Sequence, residues 1–208
     1  MALPITDPHA LRPGIILDRD GTLIDVVRDD ETGTVSVAFH PSHIRLLPGV
    51  VEGLKLLAAA GYGFAIASNQ PGPAKGQISQ GAVERTNRAL LDLLAAEGIE
   101  IAALEVCMHH PQGGPGGDVS LVGPCNCRKP KPGLLLAAIE HAHFDPQRTW
   151  MIGDSSADVL AARAAHVRGA LVFATNRCEI CPLRSGPEVR PELVAPRFDD
   201  LARAISKA

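Results

Sequence analysis

The sequence predicts an α/β fold, a doubly wound parallel sheet without a large cap. Three observations carry this expectation. Short apolar runs recur at residues 14–17, 64–68, 104–108, 150–153 and 170–174, each of strand length. Stretches of helical spacing lie between them, and such alternation builds a parallel sheet. The two segments that break the alternation, 26–47 and 111–124, are too short to form a further domain. All 208 residues are therefore expected to form one domain.

Each element has its own local reason. Gly14-Ile15-Ile16-Leu17 is apolar at every position, as a strand buried on both faces requires. Residues 26–47 are polar and irregular and are expected to form a mobile loop. Val50, Val51, Leu54, Leu57 and Ala58 share one helical face, which Gly61 closes. Ser79 is placed to cap a helix carrying Val83, Leu90, Leu93 and Leu94 that stops at Gly98. Helices are expected over 133–143 and 156–166. The tail from 177 to 196 is rich in proline and arginine and is expected to pack loosely before a last helix near 199–206.

Composition excludes several classes. Hydrophobic residues make up 46% and aromatics only 3%, so Leu, Ala, Val and Ile must build the core. The net charge of −3 offers no basic footprint for nucleic acid. No apolar run reaches membrane-spanning length. The first 13 residues have neither a basic n-region nor an apolar h-region. A cytoplasmic monomer is expected, with no membrane partner. In that compartment the five cysteines read as metal ligands or free thiols.

Asp18-Arg19-Asp20-Gly21-Thr22 directly follows the first strand run. Open α/β sheets place their sites at the carboxyl ends of strands. Asp18 and Asp20, two positions apart, point the same way. They repel unless a cation lies between them or one is protonated. This suits a Mg2+ site with a carboxylate nucleophile beside a carboxylic general acid. Ser68 and Asn69 end the next strand run with groups that can donate to phosphate oxygens. Arg128-Lys129-Pro130-Lys131 precedes a helix, and either lysine could balance the carboxylates. Gly153-Asp154 ends a further strand run, where Asp154 would supply a third carboxylate to Mg2+. Asp158 could orient the lysine, or simply sit as an acid in the first turn of a helix.

A second constellation is separate from the first. Cys107-Met108-His109 is followed, after 15 residues, by Cys125-Asn126-Cys127. Three thiolates and an imidazole form a closed tetrahedral Zn2+ site, structural rather than catalytic. Zn2+ would staple the Gly/Pro-rich connection, giving a zinc loop over 107–128. His110 could compete with His109. Cys178 and Cys181, with no second pair, read as reduced thiols.

These motifs, in this order, resemble motifs I to IV of the haloacid dehalogenase-like (HAD) phosphatases. The resemblance covers roughly residues 14–174, and it favours Lys129 over Lys131. Adding Cys107-x-His109-His110-Pro111-Gln112-Gly113 and Cys125-x-Cys127-Arg128-Lys129-Pro130, the chain resembles the D-glycero-D-manno-heptose 1,7-bisphosphate 7-phosphatases. The resemblance implies a Mg2+-dependent phosphatase of a small sugar bisphosphate, acting through an aspartyl-phosphate. Catalysis falls to Asp18 and Asp20. Ser68, Asn69, Arg128 and Lys129 bind substrate, and Asp18, Asp20 and Asp154 hold Mg2+. Ser68 stands where the family usually has Thr, and Pro71 and Pro73 replace a Ser and an apolar residue. Val26–Asp29 lacks the family's polar pattern. Histidinol-phosphate phosphatases, with a shorter zinc loop, are the alternative. A non-catalytic binding protein on the same fold is a third reading, against which the intact Asp18, Asp20, Lys129 and Asp154 argue.

Overall fold

Six parallel strands form the central sheet, in the order Ile101–Cys107, Gly63–Asn69, Arg12–Leu17, Phe144–Gly153, Arg168–Val172, Leu193–Ala195. The computed structural model describes residues 11–29, 31, 33–173 and 190–208. Its strands are β1 (Arg12–Leu17), β4 (Gly63–Asn69), β5 (Ile101–Cys107), β6 (Phe144–Gly153), β7 (Arg168–Val172) and β8 (Leu193–Ala195). A separate antiparallel hairpin joins β2 (Val27–Asp29) to β3 (Thr34–Ser36). The helices are α1 (Val50–Ala59), α2 (Gln80–Ala96), α3 (Gly133–Ala142), α4 (Ser156–Ala164) and α5 (Phe198–Ile205).

The sheet is covered on both faces. Ile15 and Leu17 of β1 point into a core with Leu54 and Leu57 of α1, Leu90 and Leu94 of α2, and Phe198 and Leu201 of α5. Ile16, between them in sequence, points to the other face, against Leu134, Leu135 and Ala138 of α3 and Ala161 and Ala162 of α4. This explains the unbroken apolar run: both sides of β1 are buried. Strand β1 sits between β4 and β6. The chain winds one way from it and then the other, so the β1–β6 boundary is the switch point where such folds open a crevice. The expected doubly wound sheet is the observed one.

Three local differences have physical reasons. Residues 26–47, expected to form a mobile loop, contain the β2–β3 hairpin and a 3-10 turn at Pro41–His43. Strands of three residues are too short to leave a periodic signal. Strand β6 begins at Phe144 rather than 150, because the Phe144 backbone pairs with Arg12 before a register shift while its ring is buried. In the tail, Leu193–Ala195 pairs with β7 as a short edge strand bracketed by Pro191 and Pro196. Prolines hide such a strand in the sequence and suit an edge. Cys178 and Cys181 lie outside the described residues. Among the described residues no helix is long and apolar enough to cross a membrane.

Candidate active site

The carboxyl ends of β1, β4 and β6 converge on a cavity of about 160 Å3 lined by Asp18, Asp20, Val37, Ser68, Asn69, Lys129, Ser155 and Asp158. Lys129 is its hub. Its Nζ lies 2.7 Å from Asp18 Oδ1 and 2.7 Å from Asp158 Oδ1, and donates to the Ala67 carbonyl at 2.8 Å. The lysine is 3% exposed. Burial works against its ammonium, but Asp158 and Asp18 outweigh burial and push its pKa up. Lys129 is therefore charged throughout the physiological range. Burial, only partly offset by Lys129, raises the Asp18 carboxyl from 3.8 to about 6.

Asn69 fixes the backbone that presents Lys129. Its Nδ2 donates to the Lys129 carbonyl and its Oδ1 accepts from the Lys129 amide, each at 3.0 Å. The alternative, Lys131, is exposed and donates to the Cys125 carbonyl instead. Ser68 Oγ accepts from Gln70 Nε2 at 2.9 Å, which leaves its own hydroxyl hydrogen to donate. Arg128 stands outside the cavity, its Nη1 3.4 Å from the His109 carbonyl.

The carboxylates sort by their partners. Asp158 Oδ2 accepts from Ser155 Oγ at 2.6 Å and from the Ser155 amide at 3.1 Å, while Oδ1 is taken by Lys129. Its oxygens are committed, so it orients Lys129, one of the two roles its sequence position allows. Gly153 makes room for it: a Cβ there would meet Asp158 Cβ and Cγ at 2.3 Å. Asp154 packs against Gly21, whose φ is +84°; a Cβ at Gly21 would strike Asp154 Oδ2 at 2.0 Å. Ligand oxygens of Asp18, Asp154 and Asp158 lie within 4.8 Å of one another. Asp158 is committed to Lys129 and Ser155, so Asp18 and Asp154, both half-buried, present the carboxylate oxygens of this group. A hard divalent cation with oxygen ligands fits that donor set.

Two residues without an assigned role also face this centre. Arg19, which separates the two aspartates in sequence, is fully buried and forks Asp20, and Gln70 donates from Nε2 to Asp20 Oδ2 at 2.7 Å. A signal for Arg19 exists in the sequence: alternation sends the residue between two site-facing aspartates inward, and a buried guanidinium must have partners.

The second cluster is also assembled. Cys127 Sγ lies 2.8 Å from Cys107 Sγ and 3.5 Å from His109 Nδ1. Cys107 Sγ is 3.8 Å from both Cys125 Sγ and His109 Nδ1. All four ligand atoms fall within 4.8 Å of one another, as a closed Zn2+ site of three sulfurs and one nitrogen requires. Burial and the neighbouring Cys127 thiol push the Cys107 pKa up, and a bound cation would favour its thiolate. His110 is turned away from the cluster, its Nδ1 accepting from the Gln112 and Gly113 amides. The cluster also reaches the cavity: the Cys107 carbonyl accepts from the Gln70 amide at 2.8 Å.

Comparison with known proteins agrees with this geometry. A family model described as HAD-hydrolase-like matches residues 126–201, and phosphatases of that superfamily use Mg2+. The D-glycero-β-D-manno-heptose-1,7-bisphosphate 7-phosphatase of Pseudomonas aeruginosa is 35% identical, covering 92% of this chain and 95% of its own. The enzyme of the same name from Escherichia coli K12 is 30% identical, covering 94% of each. The crystal structure of D,D-heptose 1,7-bisphosphate phosphatase from B. bronchiseptica, with magnesium and phosphate, superposes with a TM-score of 0.73 at 26% identity over 94% of this chain and 98% of that one. Sharing its sequence and fold with these enzymes over nearly its whole length, the chain belongs to the heptose 1,7-bisphosphate 7-phosphatase family of HAD-like phosphatases.

Proposed function

We propose that the protein removes the 7-phosphate from D-glycero-D-manno-heptose 1,7-bisphosphate. The observation that carries this reading is the buried Asp18–Lys129–Asp158 array at the strand ends, with Asp20 held beside it. Asp18 attacks phosphorus, and the bond from phosphorus to the sugar oxygen breaks. Asp20 gives its proton to that leaving oxygen. A water then attacks the aspartyl-phosphate, Asp20 takes up its proton, and the bond from phosphorus to Asp18 breaks. Lys129 and the Ser68 hydroxyl hold the phosphoryl oxygens, while Asn69 acts through the Lys129 backbone. Asp18, Asp154 and the Asp20 backbone carbonyl would hold Mg2+, which when bound offsets the charge on the carboxylates and the phosphate.

A cavity of 160 Å3 is smaller than the roughly 300 Å3 at which sites begin to enclose whole ligands. It takes the phosphoryl group and leaves the sugar at the rim. Selection then falls to rim residues, and Arg128 offers a planar fork to the second phosphate. Arg128→Ala should lower kcat/KM for the bisphosphate by about 2 kcal/mol, roughly thirtyfold, while sparing a small monophosphate. The wild-type comparison runs across the heptose bisphosphate, histidinol phosphate and fructose 1,6-bisphosphate. A clear preference for either of the last two would reject the substrate and leave the phosphatase class standing.

A further inference from the structure

We propose that Arg19 is a positioning residue that fixes the Asp20 carboxylate and ties it to helix α2 and to the segment that follows the β2–β3 hairpin. Arg19 Nε donates to Asp20 Oδ2 at 2.9 Å, and Nη2 donates to Asp20 Oδ1 at 3.2 Å. This is a two-point fork on one carboxylate, which a lysine ammonium cannot reproduce. The guanidinium is itself held from behind. Nη1 donates to Asn87 Oδ1 on α2 at 2.6 Å, and Nη2 to the Ala38 carbonyl at 3.1 Å. Ala38, two residues after β3, also holds Asp20 directly, because its amide donates to Asp20 Oδ1 at 3.0 Å. With Gln70 on Oδ2, each oxygen of the ionised Asp20 carboxylate accepts two hydrogen bonds and its rotational freedom is small; the oxygen that carries the proton in the acid step gives up one of them.

This arrangement has a chemical purpose. Proton transfer needs Asp20 within hydrogen-bond reach of the leaving oxygen, and a small displacement lowers the rate steeply. Arg19 is 0% exposed and Asn87 is 4% exposed, so neither meets substrate, and their influence must pass through Asp20. Asn87 thus sets the aim of a carboxylate that it does not touch.

The inference rests on Asp20 being the general acid, and the test separates the two. Arg19→Lys and Asn87→Ala are compared with Asp20→Asn on a sugar phosphate, a poor leaving group, and on p-nitrophenyl phosphate, whose leaving group departs without a proton. Thermal unfolding first confirms that each variant is folded. If Arg19→Lys does not fold, Asn87→Ala decides, since it removes only the anchor behind the guanidinium. The expected result is a fall of at least about tenfold in single-turnover cleavage of the sugar phosphate by the Arg19 and Asn87 variants. Their rapid burst of p-nitrophenolate should fall far less, matching the selectivity expected of Asp20→Asn. Equal losses on both substrates, or no loss on either, would overturn the role of Arg19 if Asp20→Asn is selective. If Asp20→Asn is not selective, the general-acid reading fails and the inference falls with it.

Discussion

Asp18→Asn should abolish turnover while leaving the fold intact. An amide oxygen does not displace a sugar alkoxide from phosphorus, so the covalent route closes at its first step. Losses from removing a nucleophile are large, and at least about 10^4 in kcat is expected here. The fold should persist because the change keeps side-chain shape, and Lys129 retains Asp158 and the Ala67 carbonyl. Stability has a definite sign as well. Below pH 3.8 the Asp18 carboxyl is neutral whether the chain is folded or unfolded. From there up to about 6 the folded protein keeps a proton that the unfolded chain has released. The metal-free protein therefore loses stability as pH rises through that window. The Asp18→Asn variant has no such proton and should melt at or above the wild-type temperature at pH 7 without metal. Near-normal activity in this variant would refute the mechanism, and a melting point well below wild type would refute the electrostatics.

Cys125→Ser should strip the structural metal and disturb the active site from a distance. Losing a residue that merely supports a metal ligand costs about 10–100-fold in affinity, and losing a ligand costs more. Metal bound only by the folded chain adds to its stability, on the order of 4 kcal/mol when free metal exceeds its Kd a thousandfold. Much of that contribution should vanish in the variant. Two connections carry the damage onward. The Cys107 carbonyl holds the Gln70 amide, whose side chain holds Asp20. Cys127 lies two positions before Lys129, in the same strap of chain. Elemental analysis should give one zinc per wild-type chain and less in the variant, with a lower melting temperature and reduced kcat/KM. Wild-type protein purified without chelator and found free of zinc would sink this prediction.

Residues that declare chemistry by type and spacing were legible without the structure. The buried strands announced themselves because both faces of β1 are covered, so Ile15, Ile16 and Leu17 had to be apolar. Asp18, Asp20 and Asp154 each follow a strand of one parallel sheet, and Lys129, in the turn before α3, is joined to them by its ion pair with Asp18. What escaped was small or distant. Strands β2, β3 and β8 have three residues each, too few for a periodicity. The partnership of Arg19 with Asn87 spans 68 positions, and no local pattern encodes so remote a contact. Asn69 reads as a phosphate donor by type; its Oδ1 and one of its two Nδ2 hydrogens are taken by the Lys129 backbone, a pairing visible only in three dimensions.

The ion pair between Lys129 and Asp18 closes a stretch of 111 positions. Contacts of such separation form late, because the chain must first give up the freedom of the whole intervening loop. Helices α1, α2 and α3 can wind locally long before β1 and the strap bearing Lys129 have docked. During refolding, far-ultraviolet ellipticity should therefore return ahead of catalysis. A chain that stalls midway would look largely native by that optical measure yet hydrolyse nothing, so activity is the clock for the final docking step.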